Sequence, residues 1–247
     1  MSISDVQVVV ADTAASRRIH YNLRYQVFCL ETGFEEASRY PDEQETDEFD
    51  AYSTAFLVRQ NGSNVWAGTA RLILPDDKRL PIQHVYQLSN TLSLEQTGEV
   101  SRLLIIGDVR RRSAAKRSGS RRNSSEQMRW RNMAANSCKA SDVLVSLLRA
   151  IAGYCVENGI PRTVFFVTPA LARILRRLKM DLMEIGDSIQ HRGLRIPYVL
   201  DTLQVLKTLN KLVEKELHPS DPYELFSEQG GTNSHQFEEP LRVQIAT

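Results

Sequence analysis

The feature that most constrains this chain is the run Gly98-Glu99-Val100-Ser101-Arg102-Leu103-Leu104-Ile105-Ile106, where a Glu-x-Ser-Arg cluster leads straight into consecutive aliphatic residues. An aliphatic run this short, closed by Gly107-Asp108, is not an ordinary helix and predicts a strand covered on both faces. Its first residues are then expected at the strand mouth, near solvent. A carboxylate and a guanidinium three positions apart at such a mouth form either a structural ion pair or part of a reactive site, because both arrangements perturb ionisation.

The chain before this run supplies further charges in apolar settings. A short apolar opening at residues 8–10 precedes a helix that Asp12 or Thr13 can cap, with Ile19, Leu23, Val27 and Leu30 on its core face. Arg24 falls near the border of that face, where an arginine alone would lie in solvent or snorkel to it. After Gly33, a polar stretch carries Glu35, Glu36, Glu43, Glu45, Asp47, Glu48 and Asp50 around the apolar Phe49. It reads as an ordered loop or lid whose acids are either solvated or available to a cation such as a substrate ammonium. Residues 54–60 and 65–74 flank Asn61-Gly62 and predict a β-hairpin. Arg71 lies inside the second arm and must reach the rim or a carboxylate.

Beyond the run, residues 110–131 hold nine arginines and lysines among serines and alanines, with almost no aliphatic side chains. Such a segment cannot offset its own ordering entropy, so it is expected as a mobile insertion. Its functional readings are a dock for an acidic protein or for phosphate-bearing ligands; nucleic acid ranks last, because no recognition motif accompanies the charge. Ser141 is expected to cap a helix carrying Leu144, Leu147, Leu148, Ile151 and Cys155, closed by Gly159 and Pro161. A strand at 163–167 follows, then Thr168-Pro169 opening another helix, a pair of strands within 183–200 and a helix at 203–217. This alternation argues for an α/β layer. The expected organisation is one domain over 1–217, with 110–137 a basic insertion and 218–247 a loosely held polar tail.

With a net charge of +1 over 247 residues, no global field points to nucleic acid or a membrane. Cys29, Cys138 and Cys155 are odd in number and far apart, and the five histidines lack metal-ligand spacing, so neither a disulfide scaffold nor a metal site is expected. The absence of a signal-like N-terminus and of a charge-free apolar span leads to the expectation of a cytoplasmic protein without stable membrane insertion. No Gly-x-x-x-x-Gly-Lys or Gly-x-Gly-x-x-Gly motif for nucleotides occurs, nor a Gly-x-Ser-x-Gly elbow.

Five motifs then occur in register: Arg24-x-x-x-Phe28, an aromatic at Phe34, Asp47-x-Phe49-Asp50, Gly68-x-x-Arg71-Leu72 and Glu99-x-Ser101-Arg102. Together they resemble the acyl-homoserine-lactone synthases. They also resemble that family's relatives, the long-chain N-acyl amino acid synthases and the PEP-CTERM/exosortase-associated acyltransferases. The resemblance implies an α/β protein with the GCN5-related N-acyltransferase fold, a mixed central sheet with helices on both faces. It also implies that Arg24, Asp47, Asp50, Arg71, Glu99 and Arg102 form one interlocked charged cluster below an acyl-transfer site.

On that resemblance the acyl thioester threads between the strands of Leu103 and Phe165, with Phe28 and Phe34 as further substrate contacts. Glu99 acts as base with Ser101 and Arg102 beside it. Arg102 and Arg71 position the carboxylates and bind an acceptor carboxylate. Phe34 stands where the lactone synthases usually carry tryptophan, which turns the expected acceptor from S-adenosylmethionine toward the amine of an amino acid or similar small molecule. The donor expected is acyl carrier protein rather than coenzyme A, since no pyrophosphate-binding loop follows the central strand. Arg110, Arg111 and Arg112 are its expected dock, and acyl-ACP or acyl-CoA is a co-substrate, with no other cofactor and no metal. A lactone synthase using S-adenosylmethionine and a non-catalytic acyl-binding protein of the same fold are the alternatives.

Overall fold

Alternating side chains along the strands divide the molecule into two layers of helices with a sheet between them. The computed structural model describes residues 6–62, 65–75, 79–86, 94–107, 139–216 and 226–227. The strands are β1 (Val6–Val10), β2 (Ser53–Gln60), β3 (Trp66–Ile73), β4 (Thr97–Ile105), β5 (Arg162–Val167), β6 (Met183–Glu184), β7 (Ile189–Gln190), β8 (Leu194–Asp201) and β9 (Phe226–Ser227). The α-helices are α1 (Ala14–Arg24), α2 (Ile82–Val85), α3 (Ala140–Glu157), α4 (Pro169–Arg177) and α5 (Thr202–Glu216).

The strands run in the order β6-β8-β5-β4-β3-β2-β1-β9, with β7 also paired to β8. β1 to β4 form antiparallel pairs, β4 and β5 are parallel, and β5 and β8 antiparallel. Phe56, Val58, Leu72, Val100 and Phe165 pack into a core with Leu147, Leu148 and Ile151 of α3, Leu175 of α4 and Leu209 of α5. On the other face Leu57 and Leu104 meet Leu23 and Val27, while Ile73, Val164 and Val199 meet Leu80 and Ile82. Each fully buried aliphatic side chain contributes roughly 1.5–3 kcal/mol, so the extensively buried α3 anchors the domain. This is the expected mixed sheet with helices on both faces.

Local signals act as read. Thr13 caps α1 by accepting from the Ser16 N–H at 3.1 Å, and Thr168 caps α4 by accepting from the Leu171 N–H at 3.3 Å, with Pro169 at the first helical position. One expectation is corrected. Lys139, not Ser141, precedes α3, and the Ser141 hydroxyl donates to Asp142 instead. Within the polar C-terminal region, Phe226 and Ser227 add a short parallel strand beside β1. The expected basic insertion, including Arg110, Arg111 and Arg112, lies outside the described residues.

The centre of the sheet contains the departure from regularity that matters for a site. β4 and β5 pair from Thr97–Arg162 to Val100–Phe165, and the pairing stops there. On the other edge of β4, Arg71 pairs with Ser101 and Thr69 with Leu104, so Arg102 and Leu103 together oppose Ala70. This is a bulge, which bends a strand and re-aims its side chains. Arg102 takes φ 50°, a left-handed conformation that costs a non-glycine residue on the order of 1–3 kcal/mol. Gly68 lies against the bulged strand: a Cβ there would meet the Leu104 carbonyl oxygen at 2.7 Å and Val143 at 2.9 Å. β4 therefore bends where it leaves β5, opening a parallel pair in the middle of the sheet.

Candidate active site

Three arginines from three separate elements converge beneath this opening. Arg24, the last residue of α1, is fully buried rather than at a solvated border. Its Nε donates to Glu45 Oε2 at 2.5 Å and its Nη1 to Asp50 Oδ1 at 2.6 Å. The helix passes at Tyr25 into a π-helical turn, Tyr25–Glu31, of the kind that often marks functional sites. Arg71 on β3 donates from Nη1 to Asp47 and to Asp50 Oδ1 (2.7 Å), from Nη2 to Asp47 Oδ2 (3.0 Å) and from Nε to Ser101 Oγ (3.1 Å). Arg102 donates from Nη2 to Glu45 Oε1 at 2.8 Å and to Asp47 Oδ2 at 3.0 Å, with Glu35 at 3.8 Å.

The acidic loop is ordered by these contacts. Asp47 caps the 3-10 turn Glu48–Tyr52 by accepting from the Phe49 N–H at 3.0 Å, while Asp50 Oδ2 accepts from the Asp47 N–H at 2.8 Å. Burial alone would raise the Glu45 carboxyl, but hydrogen bonds from Arg24 and Arg102 outweigh it and hold Glu45 below its ordinary range. Asp47 is held low in the same way, by Arg71 against its own burial. Removing one member of such a network leaves a buried charge uncompensated, which costs about 3–5 kcal/mol.

A neutral hydrogen-bond relay fixes the cluster to the sheet. Arg24 Nη1 lies 3.1 Å from His20 Nε2, so Nε2 must accept; Nδ1–H then donates to Thr69 Oγ1 at 2.7 Å, and that hydroxyl donates to the Phe56 carbonyl at 2.6 Å. Burial, followed by the neighbouring Arg24 charge, lowers the His20 pKa well below its ordinary value.

Glu99 departs from two expectations. It is 4 % exposed rather than open at a strand mouth, and among the described residues it makes no ion pair, so it stands outside the interlocked cluster. The register explains this: Arg71 pairs with Ser101, whereas Glu99 sits opposite Ile73 on one side and Val164 on the other. Its Oε2 accepts from the Ile82 N–H at 2.8 Å, beneath α2. Burial pushes its pKa up to about 8, opposed by the Ile82 hydrogen bond and, more weakly, by the Arg71 and Arg102 charges.

The remaining expected residues divide between the two faces. Ser101 touches Arg71, and Phe28 lies under Arg102, whose guanidinium carbon is 5.5 Å from the ring centroid. Leu103 and Phe165 pack into the core on the α3 side, on the two strands that flank the opening. Phe34 is 40 % exposed, just after the π-helical turn. In the sequence nothing sets Glu45 apart from its acidic neighbours, Glu35 stands out only within Glu31-x-Gly33-Phe34-Glu35, and His20 and Arg192 carry no signal of their own. Arg192 ion-pairs with Glu35 from the turn between β7 and β8. A cavity of about 360 Å³ borders the cluster on the side of β1 and β2, lined by Arg17, His20, Tyr21, Asp50 and Ser53. Its walls do not include Glu99, so the opening between β4 and β5 is the better candidate site. Among the described residues no helix is long and apolar enough to cross a membrane.

Residues 23–118 match the acetyltransferase (GNAT) domain family. No curated protein sequence matches the chain. Among solved structures, it is similar to BjaI, a CoA-dependent acyl-homoserine lactone synthase with SAM and isopentyl-CoA, at 16 % identity and TM-score 0.61, over 84 % of this chain and 89 % of that one. It is similar to the AHL synthase LasI at 20 % identity and TM-score 0.55, over 80 % and 89 % of the two chains. FeeM, an N-acyl amino acid synthase from uncultured soil microbes, superposes at 14 % identity and TM-score 0.50, over 80 % and 92 %. Residues 23–118 thus match a GNAT acetyltransferase domain, and the chain shares its fold with these synthases.

Proposed function

We propose that this chain is an N-acyltransferase that moves a long-chain fatty acyl group from an acyl carrier protein thioester to the amine of an amino acid or similar small acceptor. The observation that carries the reading is Glu99, a buried carboxyl with a pKa of about 8, placed just before β4 parts from β5. An ammonium is not a nucleophile, and a base poised near the working pH is best matched to removing its proton.

In the resting site Glu99 is largely protonated at neutral pH. The incoming ammonium is a positive neighbour and favours the carboxylate. Glu99 then takes one proton from the ammonium, the free nitrogen attacks the thioester carbonyl, the C–N bond forms and the C–S bond breaks. The second amine proton leaves to solvent or to the departing thiolate. Backbone N–H groups at the Arg102 bulge would polarise the carbonyl as charge develops on its oxygen. Ser101 and the Arg71–Asp47–Asp50 pairs hold the acceptor side of β4. Leu103 and Phe165, on the opposite face, offer an apolar path to the acyl chain.

Arg110, Arg111 and Arg112 follow β4 closely in sequence and suit an acidic carrier protein, whose association electrostatic steering would accelerate. The Glu31-x-Gly33-Phe34-Glu35 segment and the basic insertion favour the N-acyl amino acid or exosortase-associated group over a lactone synthase, in a cytoplasmic setting. Mass spectrometry of lipid extracts from a bacterial host expressing the chain or its Glu99→Ala variant tests the reading. It expects N-acyl amino acids with the wild type only. Acyl-homoserine lactones would shift the acceptor to S-adenosylmethionine, and N-acyl product at equal yield from Glu99→Ala would remove the base.

A further inference from the structure

The opening between β4 and β5 has two walls, and each is held from its outer side. Past the last β4–β5 pair, Val100 with Phe165, β5 stays paired with β8, Phe166 to Pro197 and Val167 to Ile196. β4 stays with β3: after the bulge Leu104 pairs with Thr69 and Ile105 with Gly68, and the Ile106 N–H donates to the Ala67 carbonyl at 3.0 Å. The width of the opening is therefore set by how closely β4 is drawn to β3 on one side and β5 to β8 on the other.

At Gly68 the approach of β4 leaves no room for a side chain. A Cβ there would lie 2.7 Å from the Leu104 carbonyl oxygen and 2.9 Å from Val143 Cγ1, against an optimal separation of about 3.5–4.0 Å between carbon atoms. Gly68 does not take a positive φ, so its need for glycine is this close approach alone. A methyl group at the position must displace either α3 or β4. Val143 is fully buried in the first turn of α3, a helix packed into the core along most of its length, and can give little. The Leu104 oxygen belongs to a strand that has no pairing to β5 at this level. The strand has somewhere to go, and the direction away from β3 is toward β5.

Such a shift falls on the acyl side of the site. Leu103 and Ile105 of β4 and Phe165 and Val167 of β5 all pack into the core on the α3 side, so moving β4 toward β5 takes space from between them. Glu99 and Ser101 lie before the bulge, where β4 is registered to β3 through Ile73 and Arg71.

We propose that Gly68 is a positioning residue for the acyl group: by admitting the Leu104 carbonyl so close to β3, it keeps β4 apart from β5 and sets the cross-section of the acyl chain that the opening accepts. The inference rests on the acyl-transfer reading and deepens it. It assigns discrimination against a branch beside the thioester carbonyl to a contact between β3 and β4, not to a side chain that touches the acyl group.

The test uses the full-length chain with two acyl carrier protein thioesters in competition, straight-chain dodecanoyl and the same chain bearing a methyl group on the carbon next to the carbonyl. A mixture of amino acids and simple amines serves as acceptor, and N-acyl products are quantified by mass spectrometry. The lower intrinsic reactivity of the branched thioester is common to all variants and cancels when ratios are compared. Gly68→Ala should raise the preference for the straight chain about tenfold or more over the wild type, the scale on which a fitted site resolves one carbon. It should also lose stability, because part of the clash falls on Val143. Combining Gly68→Ala with Val143→Ala removes that contact and leaves the one with the Leu104 oxygen. The double variant should therefore be more stable than Gly68→Ala in urea denaturation while keeping the raised preference, which separates the width of the opening from a folding defect. An unchanged ratio in both variants, or an equal loss with both donors, overturns the inference, reduces Gly68 to support of the fold and leaves acyl transfer standing. No N-acyl product from the wild type with either donor overturns the acyl-transfer reading and the inference with it.

Discussion

Replacing Glu99 with glutamine removes the ionisable group while keeping an oxygen that can accept the Ile82 N–H, so its effect on stability isolates the cost of the buried charge. In the folded protein this carboxyl titrates at about 8 instead of the ordinary 4.5. Between those values the native state holds a proton that the unfolded state has released. Stability therefore falls as pH rises through this window and levels off above it. At about 1.4 kcal/mol for each tenfold change in proton affinity, the full difference corresponds to about 5 kcal/mol. Glu99→Gln carries no such term, so the variant should gain on the wild type by up to that amount between about pH 5 and about pH 9. Urea denaturation of both proteins across this range measures it directly. Parallel stability profiles would show that Glu99 is not buried as a proton-holding acid, and the argument for its role as base would fall with it.

Three other outcomes follow from the site. Glu45→Gln should destabilise the fold by about 3–5 kcal/mol in chemical denaturation, because it strips Arg24 and Arg102 of a fully buried carboxylate; a loss comparable to that at an exposed acid would refute the interlocking. His20 should appear in nitrogen-proton correlation spectra as a neutral imidazole protonated on Nδ1. With its pKa depressed, its contribution to stability is present above the unfolded value of about 6.5 and declines as pH falls below it; an imidazolium signal at neutral pH contradicts the relay. Neutralising Arg110, Arg111 and Arg112 should weaken donor binding and flatten its salt dependence. Unchanged affinity and salt response would reduce the segment to a spacer.

What the sequence made legible was local. Asn61-Gly62 separates two strands, and the caps at Thr13 and Thr168 start their helices, because each depends on residues within a few positions. The five motifs brought out most of the cluster as candidates. For Arg24 the resemblance leads to the cluster while a constant helical period alone leads only to a border position, because the chain changes to π geometry at the next residue and the acidic loop folds over it. Glu45 could not be told from its acidic neighbours, since its partners lie 21 and 57 residues away. The same holds for Glu99: its burial depends on Ile82, 17 residues earlier, folding across β4, and no spacing within its own strand records that contact. Arg192 acquires its setting only when the β7–β8 hairpin meets the loop at Glu35.

The most direct test is a single-turnover measurement of N-acyl transfer from an acyl carrier protein thioester to an amino acid, comparing the wild type with Glu99→Gln after both have been shown to be folded. A rate lower by about a hundredfold to ten-thousandfold, with product still forming in the wild type, is the result expected of a lost general base. Equal rates in the two proteins would contradict the assignment of Glu99 as the group that takes the acceptor's proton.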